Sequence, residues 1–394
     1  MTNDQVQGFK ASAVAAGIKK DGGLDMALIF SEKEAVAAGV FTTNKVKAAP
    51  VILSQQNIRD GKVRAIIANS GNANACTGKD GLHNARREAE LVARELGIKP
   101  DEALVASTGV IGTPLPVDRI ERAIPELAKT LSPEGISHAA EAIRTTDSFS
   151  KISRFKGEAD GKPYKILGMA KGAGMIMPNM ATMLCFVLSD IGIDADDLSK
   201  AVSSSVQTTF NRISVDGDTS TNDTVLALAN GMAGNKELSS DDYERFQIGL
   251  THVMNELATM IVRDGEGATK VIYVKIKGAA SDLDALTAAR TIANSYLVKT
   301  AFYGHDPNWG RIMAALGRSG IRIREENVHI WVDEIKIVEG GLAIGVYPEK
   351  KASKRMAQKE FSFTIDLQQG ECEDQIITCD LTPDYIAINS EYRT

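Results

Sequence analysis

Between Val63 and Asp190 short apolar runs alternate with amphipathic stretches, a texture few folds accommodate. The run "VRAIIANSGNANACTG", Val63 to Gly78, reads as a buried strand entering a Gly/Asn loop. "LHNARREAELVARELG" follows as a helix, with Ala85, Ala89, Val92 and Leu96 on one face and Gly97 as its C-terminal cap. "ALVASTGVIGTPLP" is a strand that opens into a glycine-rich turn, and "YKILGMA" and "ATMLCFVLSD" are two further strands. Leu198, Val202, Val206 and Phe210 recur every four residues and mark a helix. A longer helix carries Phe246, Leu250, Val253, Leu257 and Ile261, started by a capping box of Ser239 and Asp242.

Beyond Gly278 the texture changes. One helix over about 283–299 precedes the runs "VHIWVDEIKIV", "LAIGVY", "FSFTIDL", "DQIITCDL" and "YIAINS", which read as strands at hairpin spacing. The expected fold is α/β: layered sheets flanked by helices over 1–278, then a smaller β-rich α+β domain over 279–394. Regular parallel winding is disfavoured, because helices do not follow strands in βαβ order.

At 394 residues the chain is long enough for two cores, and 43% hydrophobic with 24% charged residues is an ordinary globular composition. A net charge of −6 gives no footprint for nucleic acid. With no apolar run of membrane-spanning or signal-peptide length, a cytoplasmic protein is expected. Cys76, Cys185, Cys372 and Cys379 form no CxxC; Cys372 and Cys379 could face each other across a hairpin, though reduced thiols are the better expectation. The histidines are scattered, so no metal is assigned. "KGAGMIM" fails the dinucleotide fingerprint at its third position, and neither a P-loop nor a GxSxG elbow occurs.

That leaves "KGAGMIMPNMATMLCF", Lys171 to Phe186, as the segment that carries chemistry. Gly172 and Gly174 admit unusual backbone conformations, while Pro178 fixes its own φ and restricts Met177. Such a bend can hold the Thr182 hydroxyl against the Ala181 carbonyl. Attack there moves the acyl group from nitrogen to oxygen, and hydrolysis then exposes Thr182 as a new N-terminus. An α-amine titrates near about 7.7–8.0, so it can take the proton of its own hydroxyl. The tetrahedral intermediate needs two donors, and "STGVIG" supplies candidates in the Thr108 hydroxyl and the Gly109 N–H.

These segments, in order, make the sequence resemble the ornithine acetyltransferases, or glutamate N-acetyltransferases, of arginine biosynthesis. The resemblance runs through "GFKASAVAAGIK", "ANSGNANACTG", "STGVIG", "RTTDSFSK", "KGAGMIMPNMATML", "SVDGDTSTNDT", "VRDGEGATK", "FYGHDPNWGRI" and "NSEYRT". It implies autocleavage between Ala181 and Thr182, giving segments 1–181 and 182–394, and a heterotetramer of two copies of each. It implies ping-pong transfer of acetyl from N2-acetyl-L-ornithine to L-glutamate through acetyl-Thr182. Thr108 and Gly109 match the oxyanion hole, and Thr146, Lys171, Thr182, Glu266, Asn389 and Thr394 match substrate contacts, with Thr146 preferred over Thr145.

Charge agrees with this reading. Lys171 suits a substrate carboxylate, and Glu266 or the Thr394 carboxylate suits the ornithine ammonium. No cofactor is implied, although some members of the family also take acetyl-CoA as donor. "DGDTSTNDT" lacks EF-hand spacing and reads as a hydrogen-bonded turn network near the site; His305, Asp306, Asn308 and Arg311 share a loop open to catalytic or structural use. The alternatives are a self-processing amidase or aminopeptidase in which water replaces glutamate, and a binding protein in which Thr182 is only a strand residue.

Overall fold

The computed structural model describes residues 5–177 and 183–391, so Ala181, Thr182 and Thr394 lie outside the described residues. The chain divides into two compact units, one of residues up to 211 with 218–261, the other of 212–217 with the residues from 262 onward. The division expected near 278 falls at the end of a strand, Val271–Ala279.

In chain order the strands begin with β1 (Phe9–Val14), β2 (Met26–Phe41), β3 (Lys62–Asn72) and β4 (Ala103–Val110). They continue with β5 (Lys151–Ala159), β6 (Lys162–Lys171), β7 (Leu184–Ser189), β8 (Ile213–Ser214) and β9 (Thr224–Ala229). All but β8 form the sheet of the first unit, in the order β4-β3-β2-β9-β7-β6-β5 with β1 also on β2. β2 is the pivot: a register break between Phe30 and Ala35 lets its first residues pair with β3 while Val36–Phe41 pair with β9. Ala27, Ile29, Ile66, Ala68, Leu104 and Ala106 then share one core with Leu167, Met169, Leu184, Phe186 and Leu226. Strands that are not neighbours in the sheet thus face each other, and the sheet folds over into two layers. The alternate residues Met26, Leu28, Ala65, Ile67, Ala103 and Val105 point the other way, onto helices Ala49–Asn57, Gly78–Leu96 and Val117–Lys129. On the second layer, helix Ser240–Arg263 comes so close to Gly168 that a Cβ there would lie 2.7 Å from Val253. Removing a fully buried ring such as Phe186 from this core would cost about 3–5 kcal/mol.

The second unit adds β10 (Val271–Ala279), β11 (His329–Val332), β12 (Ile335–Glu339), β13 (Leu342–Ala343), β14 (Glu360–Asp366) and β15 (Cys372–Cys379). Their order is β13-β12-β11-β14-β10-β15-β8. Ile272, Val274, Ile276, Phe361, Phe363 and Ile365 turn one face toward helices that include Asp282–Ala293 and Val346–Met356. Tyr273, Lys275, Ser362 and Thr364 on the other face are only half-buried, the α+β pattern expected of the C-terminal part.

Most elements lie where the sequence puts them, including Gly97 as the left-handed cap (φ 65°) and the Ser239–Asp242 capping box. Four expectations are corrected. "YIAINS" lies within helix Pro383–Glu391, which starts at a proline, the residue that needs no N–H in a first turn. Only Leu342–Ala343 of "LAIGVY" is strand; after Gly345 (φ 125°) the chain turns into helix Val346–Met356. The helix expected over 283–299 ends at Ala293, where Asn294 accepts a hydrogen bond from Ser214, and a new helix runs Tyr296–Tyr303. Cys372 and Cys379 do not face each other, because both lie on β15, at its two ends. Among the described residues no helix is long and apolar enough to cross a membrane.

Candidate active site

In the first unit β3 and β4 run parallel and meet at a pair of glycines, Gly71 (φ 91°) and Gly109 (φ 129°). A Cβ on Gly109 would lie 2.4 Å from the Gly71 carbonyl carbon, so only glycine permits this approach. Thr108, the residue before it, is buried at the end of β4. Lys171 closes β6 and donates from Nζ to Thr108 Oγ1 at 3.3 Å and to Thr145 Oγ1 at 2.7 Å. An ammonium accepts nothing, so the Thr108 hydroxyl proton remains available for a different acceptor. Lys171 is 2% exposed, and a positive charge at that depth acts on its neighbours with little screening.

Asp147 supplies the opposite charge. It accepts from Lys151 Nζ at 2.7 Å, Gly172 N at 2.6 Å and Thr145 N at 3.0 Å, with Lys171 Nζ at 3.9 Å. Burial pushes its carboxyl up, yet Lys171, Lys151 and the Gly172 N–H together hold it well below the usual carboxylate range. The ionised Asp147 thereby fixes Gly172, where the glycine-rich segment begins, against Thr145.

A second buried acid behaves oppositely. Asp223 Oδ1 accepts from the N–H of Met183, the residue after Thr182 in sequence, at 3.0 Å. Burial pushes its carboxyl far above the ordinary range, opposed in part by the Met183 N–H and the Lys171 charge. β7 enters the sheet here, Leu184 pairing with Lys171 on one side and Thr224 on the other. The "DGDTSTNDT" segment is a hydrogen-bonded network, as expected: Thr42 Oγ1 donates to Ser220 O at 2.7 Å, and Asn222 Nδ2 to Ala73 O at 2.6 Å and Ser107 O at 2.8 Å.

In the second unit two expected residues come together: Asn389 Nδ2 donates to Glu266 Oε2 at 2.7 Å. Thr146 is half-buried, and the bond to Lys171 is made by its neighbour Thr145. The His305–Arg311 loop is built as a helix start: Asn308 Oδ1 caps helix Trp309–Gly317 through Arg311 N at 3.1 Å, and Arg311 Nη1 ties to Leu297 O at 2.8 Å. Asp147 and Asp223 were not picked out from the sequence, and Thr145 was named only as the alternative to Thr146. The signal for Asp147 was its place in "RTTDSFSK" beside that threonine pair, since its partners Lys171 and Gly172 lie more distant in the chain.

A sheet folded into two helix-flanked layers, with a buried lysine behind a threonine and a close-packed glycine near one strand end, defines an α/β protein that gathers hydrogen-bond donors around a buried positive charge. The chain belongs to the ArgJ family, whose model matches residues 10–394. It is 49% identical over 391 residues to arginine biosynthesis bifunctional protein ArgJ of Geobacter sulfurreducens, covering 99% of this chain and all of that one. Glutamate N-acetyltransferase of Methanocaldococcus jannaschii is 47% identical over 401 residues, covering 98% of this chain and 97% of its own. The crystal structure of arginine biosynthesis bifunctional protein ArgJ from Bacillus halodurans, 41% identical, aligns with a TM-score of 0.51 over 52% of this chain and 98% of that chain.

Proposed function

We propose that this chain is a glutamate N-acetyltransferase of arginine biosynthesis that cuts itself between Ala181 and Thr182 and then carries acetyl on Thr182. The observation that carries the reading is the Lys171–Thr108 bond beside Gly109, in a strand edge that also receives Met183 and Leu184. Supporting it, the Bacillus halodurans chain matches over 98% of its length yet covers only 52% of this one, as one half of a divided protein would.

In the first half-reaction the Thr182 hydroxyl gives its proton to its own α-amine and attacks the acetyl carbonyl of N2-acetylornithine. The Thr108 hydroxyl and Gly109 N–H receive the developing oxyanion, and Lys171 behind Thr108 raises its donor strength while adding positive potential for the substrate carboxylate. Collapse breaks the amide C–N bond, and the ornithine amine leaves with the proton. Glutamate's amine then attacks the ester by the same steps and regenerates free Thr182. Glu266 and Asn389 recognise the charged end of the amino acid, with Thr146 and the Thr394 carboxylate as further contacts. Acetyl-CoA is a second donor to assay, since the Geobacter relative is named bifunctional. The assembly is a heterotetramer of two copies of each segment in the cytoplasm.

A denaturing mass spectrum of the purified protein, before and after brief exposure to N2-acetylornithine, tests this. Two chains are expected, the larger starting at Thr182 and gaining one acetyl group that glutamate removes. One intact chain with no acetyl adduct would overturn the mechanism.

A further inference from the structure

The loop Asp264–Lys270 of the second unit is tied down far more thoroughly than a surface turn requires. Asp380, its side chain fully buried, accepts from Thr269 N at 2.8 Å, Lys270 N at 3.0 Å and Thr269 Oγ1 at 2.5 Å, with Lys270 Nζ at 3.8 Å. Two successive N–H groups on one carboxylate fix both the position and the direction of the backbone. Two residues on, Thr382 Oγ1 donates to Gly267 O at 2.8 Å and accepts from Tyr385 N at 3.4 Å. One hydroxyl therefore joins the loop to the first turn of helix Pro383–Glu391. Gly267 has φ 68°, and a Cβ on it would lie 2.6 Å from Tyr385 N, so the loop reaches the helix only because this residue is glycine.

The two members of the Glu266–Asn389 pair sit on the two parts joined in this way. Glu266 precedes Gly267, and Asn389 lies in the last turn of the helix. Asn389 occupies Glu266 Oε2, and no described residue bonds Oε1, which leaves that oxygen for a cation. A glutamate on an untied loop would lose conformational entropy on binding a cation, and the clamp removes that cost in advance.

We propose that Asp380, Thr382 and Gly267 are positioning residues that set the Glu266 carboxylate for the terminal ammonium of the donor amino acid. The proposal rests on the acetyltransferase reading above. Asp380 and Thr382 touch no substrate; they act through Glu266, and they determine which donor is preferred rather than how fast acetyl moves.

The test uses the processed enzyme with two donors, N2-acetylornithine and N2-acetylnorvaline, which share a carbon chain but differ by the terminal ammonium. Asp380→Asn, Thr382→Val, Glu266→Gln and the Asp380→Asn/Glu266→Gln double variant are compared by initial rates, with melting curves for each. Asp380→Asn is expected to raise KM for acetylornithine about 10-fold with little change in kcat, as for lost binding that is uniform along the reaction. It should leave the norvaline derivative unaffected and add less than about twofold in the Glu266→Gln background, because residues acting through one contact are non-additive. Thr382→Val should show the same pattern more weakly, and it carries the test if Asp380→Asn does not fold. If Glu266→Gln raises KM for acetylornithine alone while Asp380→Asn and Thr382→Val leave it unchanged, the clamp is refuted and the acetyltransferase reading stands. Parallel losses on both donors would reduce these residues to fold support and overturn the proposal. Equal behaviour of Glu266→Gln on both donors would instead overturn the assignment of Glu266, and the clamp with it.

Discussion

The two clusters of candidate site residues are positioned by opposite means. Thr108 and Lys171 are buried near strand ends and Asp147 in the loop before β5, where charge is compensated within the protein, and paired glycines pin the backbone beside Thr108. Glu266 and Asn389 lie nearer the surface, on a loop and a helix end; they bond each other, and the loop is held by N–H groups that donate to the buried Asp380 carboxylate. The first arrangement suits groups that must meet a developing charge in low dielectric; the second suits groups that must admit and release a charged substrate. On the proposed reading, chemistry belongs to the buried cluster and recognition to the exposed one.

That contrast is testable in descending order of effect. Thr182→Ala is expected to abolish both cutting and acetyl transfer, read as one intact chain by denaturing mass spectrometry; persistent cutting would place the nucleophile elsewhere. Thr108→Val should lower kcat by about 100- to 1,000-fold, the usual cost of one oxyanion donor, with KM for either amino acid little changed. A dominant effect on KM would erase the distinction between the clusters. Gly109→Ala is a poorer probe: at φ 129°, with Gly71 at 2.4 Å, it should lower the melting temperature together with the turnover. Asn389→Ala should raise KM for acetylornithine by about 3- to 10-fold, the size of one typical net hydrogen bond, with kcat nearly constant.

The smallest effect concerns stability. Glu88, in helix Gly78–Leu96, is fully buried, and burial alone pushes its carboxyl up to about 8. Its folded form keeps a proton that the unfolded chain has already lost, so its contribution is complete below pH 4.5 and is lost as pH rises toward about 8. Asp147 runs the other way: its depressed carboxyl contributes stability above about pH 3.8 that is lost as pH falls further. Glu88→Gln should therefore gain in melting temperature relative to the parent between pH 5 and 8, while Asp147→Asn should destabilise most at neutral pH. Thermal melts from about pH 2 to about pH 8 check both signs.

Much of the buried framework is legible in the sequence because β3, β4, β6 and β7 are compact apolar runs bounded by glycine or polar turns. β2 is not legible in the same way. Its centre, "SEKEA", is charged and its second half is rich in alanine, which has little strand preference, so only tertiary pairing with β3 and β9 makes it a strand. "YIAINS" misleads for the converse reason: its local alternation imitates a strand, and the helix is fixed by Pro383 and the Thr382 cap. For the site, Thr108 and Gly109 were candidates from the "STGVIG" turn, and Lys171 was named through family resemblance. Asp147 and Asp223 escaped notice because a carboxylate's role depends on which charges reach it, and Lys171 lies far from both in sequence.

β6 and β7 lie on either side of the proposed cut, yet they are hydrogen-bonded neighbours from Ile166–Ser189 to Lys171–Leu184. β2 and β9, likewise from opposite sides, pair along Val36–Phe41. Once cut, the two segments would share one sheet and one core, so parting them means unfolding both. A batch grown on heavy isotopes and mixed with a light one should accordingly never trade halves: each molecule would keep for life the partner it was born with.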